Sequence, residues 1–144
     1  MTFVSTARTA LLAAAVTLAG FTATTASASA DSCWNHNGSI MRLKASGNRR
    51  WFYYENPKPQ LARAGVTPGT LLFDGRKNGN SYSGTARRFS RFCPGNPLEY
   101  SVGGPVSGDQ LRVTLRGTYD EHQRCEPTGA VKSDRLVFTY AYDC

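Results

Sequence analysis

Few residues of this 144-residue chain have the types and spacing that chemistry requires. There are two histidines: His36, set between Asn35 and Asn37, and His122, in a polar acidic stretch. A nucleophilic triad needs a base and a buried acid to aim it. No Gly-x-Ser-x-Gly elbow supplies a nucleophile. Paired carboxylates would have to come from Glu55, Asp74, Asp120 and Glu121, and a glycosidase needs two across a cleft with one pKa raised by burial. Asp120 and Glu121 are adjacent in a polar run and read as solvated. Asp74-Gly75 reads as a strand-end turn. Glu55 follows Tyr53 and Tyr54 and reads as an ion pair with Arg49 or Arg50. No catalytic residue, cofactor or metal is expected, since Cys-x-x-Cys and His-x-x-x-His spacings are both missing.

The best binding feature is Arg49-Arg50-Trp51-Phe52-Tyr53-Tyr54-Glu55. On a strand, Trp51 and Tyr53 share one face, and Phe52 and Tyr54 the other. One pair must face a core. The other offers a flat aromatic shelf beside arginine, suited to a sugar ring, a peptide or a base. The candidate binding residues are therefore Arg49, Arg50, Trp51, Tyr53, Tyr54 and Glu55, with the Lys77–Asn80 turn as a rim neighbour. Asn37-Gly38-Ser39 matches a glycosylation sequon but reads as a turn.

The elements that must position these residues are short strands. Ser39 to Ala45 alternates, with Met41, Leu43 and Ala45 on one face and Arg42 and Lys44 on the other. Arg50 to Glu55 pairs with it. Thr70 to Phe89 forms a hairpin reversed at Asn78-Gly79, and Tyr82, Gly84 and Ala86 share a face that suits a curling sheet. Leu98 to Gly103 follows. Gln110 to Gly117 points Leu111, Val113 and Leu115 inward. Thr118 to Val131 reads as an irregular excursion. Arg135 to Asp143 closes, with Leu136, Phe138, Tyr140 and Tyr142 on one face. Between the first two hairpins, Gln60 to Ala64 is a helical turn placed to cap an open barrel end. Short strands with hairpin-length links predict an all-β, antiparallel up-and-down barrel of about six to eight strands.

Residues 1–30 differ from the rest. One charge, Arg8, precedes an apolar Ala- and Leu-rich segment, and Ala28-Ser29-Ala30 provides a small-x-small cleavage site. This is the layout of a secretory signal peptide. Residues 31–144 then form a single domain, secreted or periplasmic, with no membrane span left after cleavage. All four cysteines lie in that domain, and an even count in an exported chain points to two disulfides. Of the three possible pairings, Cys33–Cys144 with Cys93–Cys125 best fits a closed sheet, because the two ends of the fold must then lie side by side.

Of the 17 Lys and Arg residues only Arg8 precedes residue 31, which leaves 16 basic against 10 acidic side chains, a charge of +6. The basic residues are spread along the chain, so solubility accounts for the charge. Nucleic acid would need a denser basic track.

Trp34-Asn35-His36-Asn37-Gly38-Ser39-Ile40-Met41-Arg42-Leu43 resembles the first strand of avidin-type barrels, which carry a Trp-Asn … Gly-Ser-x-Met run. The resemblance implies a barrel. Those barrels line their ligand site with several tryptophans, and this chain has Trp34 and Trp51, so no biotin site is carried over. A wider pattern runs through Arg50–Tyr54, Pro57-Lys58-Pro59, Gly69–Gly75, Tyr82–Ala86, Cys93 and Leu136-Val137-Phe138. It is similar to a family of small exported uncharacterised bacterial proteins, and to a module at the end of some bacterial caspase-like peptidases. That resemblance implies a self-contained, non-catalytic domain.

The expectation is an exported, monomeric binding module whose partner is a protein or an anionic envelope component, with enzyme inhibition as one version. A ligand-carrying barrel is the alternative, and a fully packed interior would exclude an enclosed ligand. A small hydrolase using Glu55 or His122 is a further reading, and it requires those two to share a pocket.

Overall fold

The computed structural model describes residues 31–144; the expected signal peptide, 1–30, lies outside them. Eight strands close into one antiparallel barrel in sequence order, and the last pairs with the first. They are β1 Ser32–His36, β2 Ser39–Ser46, β3 Arg49–Asn56, β4 Leu71–Asn78, β5 Ser81–Arg88, β6 Leu98–Pro105, β7 Arg112–Gln123 and β8 Glu126–Asp143. This is the disulfide-stapled meander that the sequence predicts. Both disulfides pair as expected, Cys33 with Cys144 and Cys93 with Cys125.

Several local expectations change. The opening segment is a full strand, joined to β2 by a two-residue turn at Asn37 (φ 47°) and Gly38 (φ 82°). Both central positions of such a turn need positive φ, which Asn-Gly tolerates. Leu111 does not point inward. It lies in the turn before β7 and is 46% exposed, whereas Val113 and Leu115 are fully buried. Tyr142 is also exposed, near the end of β8 and past a register shift at Cys33/Trp34. The expected excursion from Thr118 to Val131 is an extended β-ribbon, paired from Thr118↔Ser133 out to Gln123↔Glu126. Its side chains are mostly exposed, and a ribbon with no buried face shows no period in the sequence.

The waist of the barrel is filled. Phe52 and Phe138 stack with centroids 3.9 Å apart, and Trp34 meets Phe52 edge-on at 5.9 Å. Phe73, Met41, Val113 and Leu115 have no exposed surface. Eight strands leave an interior just wide enough for side chains to fill or for one small ligand. Neighbouring strands crowd one another where Gly75 pairs with Gly84. A Cβ on Gly75 would collide with the Ser83 carbonyl, and one on Gly84 with the Asp74 carbonyl. Asp74-Gly75 is therefore mid-strand, not a turn.

The two ends differ. At one end, β2–β3, β4–β5 and β6–β7 are joined by short turns. There Lys77 Nζ donates to Gln110 Oε1 (2.8 Å), and Gln110 Nε2 donates to Asn80 Oδ1 (3.3 Å). At the other end, the Pro59–Ala64 3-10 helix joins β3 to β4, and an irregular loop over residues 89–97 joins β5 to β6. The β7–β8 ribbon rises from the same end.

Candidate functional site

Space and buried polarity coincide at the long-loop end. His36 and Ser39 are the two buried polar residues among those described. Both flank the Asn37-Gly38 turn, so the tight hairpin holds them at the mouth. Ser39 Oγ accepts the Lys58 N–H (3.0 Å), which seats the 3-10 helix segment over the barrel. The His36 ring stacks on Phe138 at 4.5 Å, and its Nδ1–H donates to the Val137 carbonyl (2.9 Å). That bond leaves Nε2 as the acceptor of a neutral ring. Burial lowers the His36 pKa against the opposing pull of the Val137 hydrogen bond.

Opposite His36, alternate inward positions bring Tyr54, Arg88, Tyr100 and Asp134 together around a small cavity of about 160 Å³. Tyr100 Oη donates to Asp134 Oδ2 (2.6 Å), and Arg88 Nη1 donates to the same oxygen (2.7 Å). Asp134 Oδ1 accepts the Arg135 N–H (2.8 Å). Burial pushes the Asp134 carboxyl up, but the Tyr100 hydroxyl and Arg88 guanidinium outweigh it and hold the pKa below the usual carboxylate range. Tyr100 is raised, first by burial and then by Asp134. Burial alone pushes Tyr54 up to about 12. Both phenols are therefore protonated donors at neutral pH.

Arg88 and Phe89 also line a second, larger groove of about 720 Å³ between the 89–97 loop and the ribbon. The Arg88 guanidinium lies over the Tyr119 ring at 4.1 Å, and Phe92 is 60% exposed. β6 and β7 are in register only at Val102↔Gly117 and Gly103↔Arg116, and the groove opens where the two strands part. Cys93–Cys125 spans it, tying loop to ribbon tip. Arg91 and Arg124 line it with no carboxylate within 4.0 Å among the described residues. The cavity, as a polar neck, and the wider groove adjoin at Arg88 and Phe89, which line both.

The sequence-predicted residues divide between faces. Tyr54 is in the mouth, buried, with its ring edge-on to Phe89 at 5.9 Å. Trp51 and Tyr53 are on the outer wall, half-buried, with Arg49 over Trp51 at 5.3 Å and Lys44 over Tyr53 at 6.0 Å. Arg50 lies over Tyr82 at 5.8 Å, away from the mouth. Glu55 pairs with Arg42, not Arg49 or Arg50, because Arg42 is its outward neighbour on β2. Arg42 reaches both Glu55 oxygens (2.7 and 2.8 Å) and Asp31 (3.1 Å). That hydrogen bonding holds Glu55 below its ordinary pKa, which suits a permanent anion and not a general acid. Glu55 lines neither cavity, while exposed His122 lines the outer groove, so the two do not share a pocket. Among the described residues, no three His, Cys, Asp or Glu side chains cluster closely enough to hold a metal.

Sequence reasoning weighed His36 only as a base for a triad and missed Arg88, Tyr100 and Asp134. The four come from four strands, and only His36 carried a signal, as a polar residue two positions after Trp34 on what becomes the inward face.

The fold is that of an avidin-like barrel. A solved structure described as the rhizavidin–biotin complex superposes with a TM-score of 0.54 at 16% identity, covering 81% of this chain and 95% of that one. No protein-family model matches the chain, and no curated protein matches it.

Proposed function

We propose that this chain is an exported, non-catalytic binding protein that takes a small ligand in the adjoining cavity and groove at its long-loop end. The observation that carries the reading is the coincidence of buried polarity with open space. The packed waist excludes a ligand at the barrel's centre, so the ligand would sit above it. His36 Nε2 offers an acceptor and Tyr54 Oη a donor at the neck, while Arg88 is already committed to Asp134. The outer groove adds the exposed Phe92, with Arg91 over its ring at 4.7 Å, and Arg124. The fitting ligand has a compact hydrogen-bonding head and an acidic tail. Two disulfides are compatible with the oxidising compartment that export implies.

Biotin, present in the rhizavidin structure, has this outline and is the first compound to titrate. Its affinity here would be modest, because Trp34 packs in the core and Trp51 lies on the outer wall. A panel of small ring-bearing carboxylates, screened by thermal shift and calorimetry, should contain a binder that loses at least tenfold in affinity with Tyr54→Phe or Arg124→Gln. Binders that ignore both substitutions would place the ligand elsewhere and end this reading. The outer shelf of Trp51 and Tyr53 remains a proposal for a protein partner, although Arg49 and Lys44 already cap its rings.

A further inference from the structure

Arginines on most of the outer wall have partners. Arg42 is held by Glu55 and Asp31, and Arg87 by Asp74 and Glu99. Arg76 donates to Asn48, and Arg49 lies over Trp51. The outer face of β7 and β8 is different. Arg112, Arg116 and Arg135 are all exposed. Among the described residues, none of their guanidinium groups has a carboxylate within 4.0 Å.

Register brings these residues together. Arg116 stands directly opposite Arg135, an arrangement of about 5 Å between Cα atoms, and like charges directly opposite one another are destabilising. Arg112 is on the same face of β7, about 14 Å further along at roughly 3.4 Å per residue. Outward neighbours Thr114, Thr118, Ser133 and Thr139 supply hydroxyls along the strip. On the β6 side Arg116 pairs with Gly103, so no side chain overhangs it there. In the sequence the three arginines look dispersed; the antiparallel pairing aligns them.

We infer that this strip is a docking site for a linear phosphate polymer. An opposed cationic pair kept free of acidic partners is offset by an anion from outside. Guanidinium groups suit phosphate because their planar fork matches it bidentately. The charges form a line along two strands of a curved wall, which fits a chain better than a flat bilayer. No aromatic ring interleaves with them, as stacking on bases would require.

The test measures binding of the full exported protein to long-chain inorganic polyphosphate. Orthophosphate and phosphatidylglycerol vesicles serve as comparison probes. The triple variant Arg112→Gln, Arg116→Gln, Arg135→Gln should lose at least tenfold in affinity. Its slope of log affinity against log salt should fall by about 2, at roughly 0.7 per lost contact on a flexible strand. A control with the same charge change, Lys44→Gln, Arg63→Gln, Arg76→Gln, should lose less than threefold. Equal losses in the two triples, or vesicle binding without polyphosphate binding, overturn the proposal. Arg135→Gln alone should melt at or above the parent temperature, because it relieves the opposed charges. A clearly lower melting temperature would show that the pair is not strained and remove the premise.

Discussion

The two ends of this barrel are built from the same eight strands, yet they solve opposite problems. At the short-turn end the strands are stapled by Cys33–Cys144 and bridged by Lys77, Gln110 and Asn80. At the long-loop end the strands part, and the chain inserts a 3-10 helix, a loop and a ribbon. Buried polar groups gather there, and cavities of about 160 and 720 Å³ open. An antiparallel meander places alternate connections at alternate ends, so one end can be lengthened while the other stays fixed. Cross-links gather where the turns are short, and open space with buried polar groups where they are long.

Removing each disulfide should expose that division most strongly. In the chain-entropy model, Cys33→Ser with Cys144→Ser costs about 5 kcal/mol, and Cys93→Ser with Cys125→Ser costs about 4. The first pair should lower the urea midpoint of the whole barrel. The second should cost less than its loop length implies, because the freed ribbon can detach while the barrel stays closed. Equal whole-barrel losses in urea titrations would erase the distinction between the ends.

A smaller effect is expected from Tyr100→Phe, which deletes the hydroxyl donating to Asp134. With Arg88 still in place, the loss should be about 1–2 kcal/mol, the cost of leaving a charged acceptor short of one donor. Carboxyl NMR should show the Asp134 pKa moving up. A carboxyl that does not move would mean that the phenol contributes nothing to the neck.

The smallest effect is a pH dependence confined to the open end. Burial holds His36 below its ordinary value of 6.5. The unfolded ring therefore takes up a proton that the folded ring refuses. Stability is full above pH 6.5 and falls as pH drops from there to the folded value. Asp134 and Glu55, both lowered, contribute stability above their ordinary range and lose it only in stronger acid. Chemical denaturation between about pH 7 and 5 should show a slope that His36→Gln flattens. A slope unchanged by that substitution would assign the titration to another group.

What the sequence disclosed follows the same division. The waist was legible where Leu43, Val113 and Leu115 alternate with polar neighbours, since burial imposes that period, but the aromatic run around Phe52 left open which pair faces the core. Closure was legible from cysteines at the two ends of the fold. The mouth was not, because its residues come from β1, β3, β5, β6 and β8 and meet only through register. Tyr54 lay inside the predicted binding run and faces the mouth, while Trp51 and Tyr53 of the same run face outward. The ribbon beyond Gly117 was hidden because neither face is buried. The opposed arginines were hidden because Arg116 and Arg135 are distant in sequence.

The link between Cys33 and Cys144 has a mechanical consequence. Their Cα atoms lie 5.2 Å apart, and the bond spans a separation of 111 residues, so nearly all of the fold is a covalent ring. A tensile load applied at these two points runs through the sulfur bridge and bypasses the hydrogen bonds that zip β1 to β8. A reduced barrel would open at that seam under a pull that the oxidised barrel withstands.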